Sequence, residues 1–254
     1  MPAAAPWTRS FVIAVVVSAL AAASVACNDS FDAKDVERPP AREARKPTAQ
    51  AAEDFEKSEA GKLPPGFTAA LTGGGGDVTW VIENDPSAPA GPKVLAQTSA
   101  DRTNRRYPVC VYDGLTANDV DVSVRFRTVA GEVDRAAGLV WRYADKDNYY
   151  VVRANALENN VVLYKTQDGV RTDLKLKGKD SGYGVKAEVF QDRWNTLKVS
   201  AVGSSFVVSL NDKPLFEVVD DTFAKPGKVG LWTKADSVTR FDDLRVQSFD
   251  AEKK

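Results

Sequence analysis

Several short stretches carry residue types that could do chemistry. Glu132-Val-Asp134 sets two carboxylates two positions apart, and a carboxylate pair is what glycoside hydrolysis uses as nucleophile and acid. A third carboxylate would be expected three residues on, but position 137 is Ala, so the pair reads as an exposed connection beside Gly131. Asp145-Lys-Asp-Asn148 begins like a calcium loop. Such a loop needs Gly at its sixth position and Glu at its twelfth; these are Tyr150 and Ala156, which leaves a turn. Calcium held by loop carbonyls and carboxylates stays open elsewhere, with Asp242 and Asp243 as the local candidates. Gly73–Gly76 is no phosphate loop, because no Lys-Ser/Thr follows and the next element reads as a strand.

The richest stretch is Trp141–Lys165. Trp141, Tyr143, Tyr149, Tyr150 and Tyr164 offer flat faces; Arg142, Arg153, Asn155, Glu158, Asn159 and Lys165 offer donors and acceptors. Aromatic faces beside polar groups suit a sugar. Trp232 and Lys234 supply the same pairing further on. The candidate ligand-binding residues are therefore Arg142, Tyr150, Arg153, Asn155, Glu158, Tyr164, Lys165, Trp232 and Lys234. The competing reading is structural: aromatics fill sandwich cores and the arginines pair with acids across strands. Strict alternation would put Trp141 and Tyr143 on the face opposite Arg142, so the whole set cannot line one groove. Trp232 is open between a concave face and a core position under a loop.

Composition narrows the field. The 254 residues include 34 Lys and Arg against 35 Asp and Glu, two Cys and no His. The balanced charge argues against nucleic acid as a partner. Without histidine there is no Ser-His-Asp or Cys-His triad, no His-ligated metal and no imidazole acid or base. Two cysteines make no disulfide scaffold. Cys110, in Tyr107-Pro-Val-Cys-Val-Tyr112, reads as a small buried hydrophobe.

The N-terminus reads as a targeting segment. Arg9 precedes an apolar run, Phe11–Ala26, of 16 residues, short for a membrane-spanning helix of about 20. Ser24-Val25-Ala26 puts small residues ahead of Cys27, as before a signal cleavage site. The stretch resembles a bacterial lipoprotein signal, with Ser24 where Leu is usual. The resemblance implies a diacylglycerol on Cys27 and attachment to a membrane; plain secretion to the periplasm or beyond is the alternative. Asn28–Ala60 follows with six basic and nine acidic residues and two aromatics. So little apolar surface predicts disorder, and the domain plan is a signal over 1–26, a tether over 27–62, a sandwich over 63–249 and a charged tail over 250–254. A short helix over Ala49–Ser58 is the one element considered within the tether.

From Leu63 onward the pattern is all-β. Val120, Val122, Val124 and Phe126 alternate with Asp121, Ser123, Arg125 and Arg127, the period of a half-buried strand. Similar runs recur through Thr239–Gln247, about fourteen in all counting one near Phe67. They are separated by turn residues such as Asp168-Gly169, a strong hairpin signal. No sustained helical stripe interrupts them. The expected fold is a large antiparallel β-sandwich.

Three segments carry a resemblance: Gly138–Lys165; Trp194-Asn-Thr-Leu-Lys-Val199; and Gly227-Lys-Val-Gly-Leu-Trp-Thr-Lys234, closing on Phe241-Asp-Asp-Leu-Arg-Val246. They resemble concanavalin A-like (laminin-G-like) jelly rolls, most closely the bacterial 3-keto-disaccharide hydrolase-like domains. The resemblance implies the jelly-roll fold over about Phe67 to Ser248, and carbohydrate as partner. The leading expectation is an exported, envelope-anchored domain that binds a glycan or cell-wall polymer. The alternatives are a hydrolase of modified disaccharides working through carboxylates, and a structural or interaction lipoprotein. The sequence leaves the oligomeric state open.

Overall fold

The structure is a computed structural model describing residues 30–249, apart from 41 and 44, together with Met1. The expected signal segment, Cys27 and the tail 250–254 thus lie outside the described residues. Seventeen strands follow in chain order: β1 (Phe31–Asp32), β2 (Ala49–Glu53), β3 (Phe67–Gly73), β4 (Trp80–Asn84), β5 (Lys93–Gln97), β6 (Arg106–Ala117), β7 (Asp119–Ala130), β8 (Ala136–Asp145) and β9 (Asn148–Asn155). The second half supplies β10 (Asn160–Gln167), β11 (Val170–Asp173), β12 (Val185–Lys186), β13 (Asn195–Val202), β14 (Ser205–Leu210), β15 (Lys213–Val219), β16 (Gly227–Trp232) and β17 (Val238–Phe249).

They form two sheets. A nine-stranded sheet runs β1-β12-β10-β9-β8-β16-β6-β3, with β11 added on β10; an eight-stranded sheet runs β15-β14-β13-β7-β17-β5-β4, with β2 added on β17. All pairings are antiparallel except β1 with β12. This is the expected all-β sandwich. Its core holds Val122, Val124 and Phe126 of β7 against Leu139, Val152 and Leu231 of the other sheet. Each fully buried side chain of this size contributes about 1.5–3 kcal/mol. Cys110 is buried as expected, and burial pushes its thiol up.

The nine-stranded sheet buries apolar side chains on its other face as well. Tyr107, Val109, Val140, Tyr149, Val151, Tyr164 and Trp232 form a second cluster there. Gly138 makes room for it: a Cβ at this position would come within 2.8 Å of the Val152 carbonyl oxygen and 3.1 Å of the Trp232 ring.

Three expectations are corrected. The segment over 27–62 is not free where it is described. Phe31 pairs with Val185, Val36 and Phe55 are buried, and Ala49–Glu53 is a strand on β17 rather than a helix. Composition undercounts such a strap, because its backbone bonds to an open sheet edge and a few apolar residues, Val36 and Phe55 above all, go inward. The opening on β17 comes from a bulge at Asp242 and Asp243, where Asp243 is left-handed (φ 51°). Before the bulge β17 pairs with β5, after it with β2. Finally, a second bulge follows Trp141 in β8, with Arg142 left-handed (φ 47°). It breaks the alternation: Trp141 is in the central core, the Arg142 guanidinium lies over the core ring of Phe206, and Tyr143 packs on the opposite face.

Candidate functional site

The nine residues selected from the sequence separate into two clusters. Arg142, Tyr150 and Lys165 go to the first, which closes on the loop over 220–223. Tyr150 lies in the core, stacked on Trp141, and its hydroxyl donates to Asp220 at 2.5 Å and accepts from the Phe223 N–H. Lys165 Nζ donates to Asp220 and Thr222. Arg142, 3% exposed, donates to the carbonyl oxygens of Asn118, Phe223 and Gly203 and pairs with Asp119. Every polar group of these three residues is spoken for by the protein, so they hold the fold and form no ligand groove.

The other six meet on the outer face of the nine-stranded sheet. Arg153 on β9 is 1% exposed. It donates from Nη1 to Asn160 at 2.9 Å, from Nη2 to Glu158 at 2.7 Å and from Nε to the Tyr164 hydroxyl at 3.2 Å. The Tyr183 hydroxyl also accepts from Arg153 and shares a hydrogen bond with Tyr164. Beside them Lys234 pairs with Asp134, which accepts from Asn155 Nδ2 at 2.8 Å. Trp232, fully buried, stacks on Tyr107 with ring centroids 5.5 Å apart.

Electrostatics distinguish the exposed groups of this cluster from the buried ones. Burial alone would raise the Glu158 carboxyl, but the Arg153 charge and the hydrogen bonds outweigh it and hold Glu158 below the ordinary carboxylate range. Its side chain is 42% exposed, so an ionised carboxylate backed by a buried guanidinium faces solvent. Burial pushes the Tyr164 hydroxyl up and keeps it protonated. Lys234 and Tyr183 are half-buried.

Arg171, Tyr107 and Tyr183 were not selected from the sequence. Arg171 follows the Asp168-Gly169 turn, both residues left-handed (φ 50° and 76°), and the turn sends β11 back along β10. Its guanidinium carbon lies 4.2 Å from the Tyr164 ring centroid, 4.7 Å from Tyr107 and 5.6 Å from Trp232. The turn was legible. The curvature that brings rings from β10, β16 and β6 under one arginine was not.

The remaining candidates have structural duties. Asp134 is buried against Lys234 while Glu132 pairs with Arg102 at the surface, so the two carboxylates do not converge. Asp242 accepts from the N–H of Ala90 and of Asp243, and burial pushes it up to about 6. Asp243 pairs with Arg125 and Arg245. No group of three His, Cys, Asp or Glu among the described residues is arranged to hold a metal ion. A cavity of about 340 Å³ lies on the other sheet under the strap. Arg42 there donates to Ser200 and Ser205, and Arg45 lies 3.7 Å from Asp119 with its guanidinium over the Phe249 ring.

Residues 69–247 match the family described as 3-keto-alpha-glucoside-1,2-lyase-like domain. No curated protein matches the sequence. Among solved structures, the chain is similar to carbohydrate binding module CBM66 from Bacillus subtilis at 18% identity and TM-score 0.56, over 72% of this chain and 96% of that one. It is also similar to the cellulose induced protein Cip1 at 13% identity and TM-score 0.55, over 78% and 97%. At these identities the likeness is one of fold.

Proposed function

Because the chain belongs to the 3-keto-alpha-glucoside-1,2-lyase-like domain family, we propose that it binds carbohydrate, and that the outer face of the nine-stranded sheet is where it does so. The observation that carries this reading is the convergence of Arg153, Glu158, Asn160 and Lys234 beside the rings of Tyr164, Trp232 and Tyr107. A sugar needs directional donors and acceptors; Glu158, Lys234 and Tyr183 offer them at the surface of this cluster, with Arg153 and the rings of Tyr164, Trp232 and Tyr107 buried behind them. The similar fold of a carbohydrate binding module supports the same reading.

Binding is favoured over catalysis by the state of the carboxylates. Glu158 is held ionised by Arg153, and Asp134 is buried against Lys234. An acid or base that works near neutrality needs a pKa tuned toward the working pH, and Glu158 is shifted the other way. A hydrolase of the two-carboxylate kind would need a second carboxylate free to face Glu158.

The test is a glycan array with wild type and Glu158→Ala, checked by thermal melting. Binding of at least one glycan class, weakened about tenfold or more in the variant, is expected. If no glycan binds, or if the variant binds unchanged, the reading fails.

We further propose that the chain is exported and anchored through lipid on Cys27, as its resemblance to a lipoprotein signal implies. The first described residue of the strap supports a close approach to the membrane. Ser30 donates to the Tyr183 carbonyl and accepts from Asn160, three residues after Cys27. Three residues span at most about 10 Å, so the glycan site would sit near the bilayer surface rather than at the end of a long tether. Cys27→Ser should move the protein from the membrane to the soluble fraction; unchanged fractionation would sink the anchor.

A further inference from the structure

The cations of the candidate site are not equally matched. Arg153 has Glu158 and Lys234 has Asp134. Arg171 has no carboxylate partner among the described residues, and its Nη1, although buried, finds no hydrogen-bond acceptor. The rings of Tyr164, Tyr107 and Trp232 attract the cation through their faces, but they accept no in-plane N–H bond from it. A buried charged donor left without an acceptor is costly, so its retention calls for a reason.

Nor is Arg171 on a loose arm. Its strand is laddered to β10 through Thr166. The turn that carries it is docked on the neighbouring hairpin, where the Asp168 N–H donates to Asn148 and the Gly169 N–H to the Asp147 carbonyl. The guanidinium is therefore preorganised over the aromatic rings, half-buried, with unspent donor capacity and unspent positive charge.

We propose that the site selects an anionic saccharide, and that Arg171 is the residue that reads its acid group, a carboxylate or a sulfate ester. This rests on the carbohydrate reading above and adds the class of sugar. The planar guanidinium donates two parallel N–H bonds to a carboxylate or sulfate, while the buried rings of Tyr107 and Trp232 hold it from beneath. Glu158, on the far side of Arg153 from Tyr164, sets the opposite requirement: it accepts from hydroxyl donors of the sugar and repels a second acid group. The preferred ligand thus carries acid groups at intervals rather than on every exposed position.

The test is calorimetric titration of the wild type and Arg171→Gln with three tetrasaccharides: tetragalacturonate, a monosulfated galactotetraose and neutral galactotetraose. The expected result is that at least one anionic oligosaccharide binds about tenfold or more tighter than the neutral one. Arg171→Gln should bring that ratio close to one, with Arg171→Lys between them. Added salt should weaken the anionic ligand more than the neutral one. Equal binding of neutral and anionic ligands by the wild type overturns the inference and leaves the carbohydrate reading standing. So does an anionic preference that survives in Arg171→Gln. Absence of binding to all three, together with an empty glycan array, overturns both.

Discussion

Two buried arginines on adjacent strands of the same sheet end in opposite circumstances. Arg142 on β8 spends its donors on carbonyl oxygens from three separate segments, at Asn118, Gly203 and Phe223. Arg153 on β9 spends its donors on side chains, and two of these, Glu158 and Tyr183, reach the surface. Backbone acceptors are fixed by the fold and cannot be exchanged for a ligand. Exposed side chains can turn toward a ligand, or share it with the arginine. The first arrangement latches loops together; the second presents a buried charge to solvent through intermediaries. Burial of an arginine does not by itself distinguish structure from site, but the mobility of what it bonds to does.

The largest expected effect tests that distinction directly. Arg142→Met strands three carbonyls and leaves Asp119 with Arg45 as its one cationic partner among the described residues, and removing one member of a buried charged set costs about 3–5 kcal/mol. Arg153→Met also removes a buried charge, but Glu158 and Tyr183 can rehydrate, so its cost should be less than half as large. Urea unfolding of both variants measures the gap. Equal destabilisation would dissolve the contrast, and a larger loss in Arg153→Met would reverse it.

The same contrast explains what the sequence disclosed. Period-2 alternation located fourteen strands, because burying one face writes that pattern into a chain. It failed at Arg142, where a left-handed residue inserts a bulge and moves the guanidinium to the core side. A bulge has no compositional mark unless it falls on glycine. It failed again over Phe31–Glu53, where edge pairing gives backbone bonds to a stretch too polar to read as a strand. Residue type selected Arg153, Asn155, Glu158, Tyr164, Trp232 and Lys234, which the fold brings to one outer face of the sheet. It also selected Tyr150 and Lys165, whose chemistry is identical and whose partners are internal. Only position separates the two groups, and position depends on the curvature of a nine-stranded sheet, which pairwise spacing does not encode.

The finest test compares the acids of the two clusters. Burial would raise the Asp220 carboxyl, but hydrogen bonds from Tyr150, Thr222 and Lys165 outweigh it and hold it low; Arg153 does the same for Glu158. A carboxyl held low in the folded state contributes stability that is fully present above its unfolded value of about 4 and is lost as pH falls through the folded one. Asp220→Asn should therefore destabilise at neutral pH by about 1–2 kcal/mol, and the deficit should shrink on acidification below about pH 4. Glu158→Gln should follow the same direction with a smaller amplitude, below about 1 kcal/mol, because its side chain is 42% exposed against 13% for Asp220. Asp242, pushed up to about 6 by burial, runs the other way: its folded form holds the proton more tightly, so its contribution is lost as pH rises from about 4 to 6. Stability measured from about pH 2 to about pH 7 in wild type and in Asp220→Asn separates the two slopes. A deficit in Asp220→Asn that grows toward acid would mean that Asp220 is a buried liability rather than the anchor of the latch, and the contrast with the Glu158 cluster would lose its structural half.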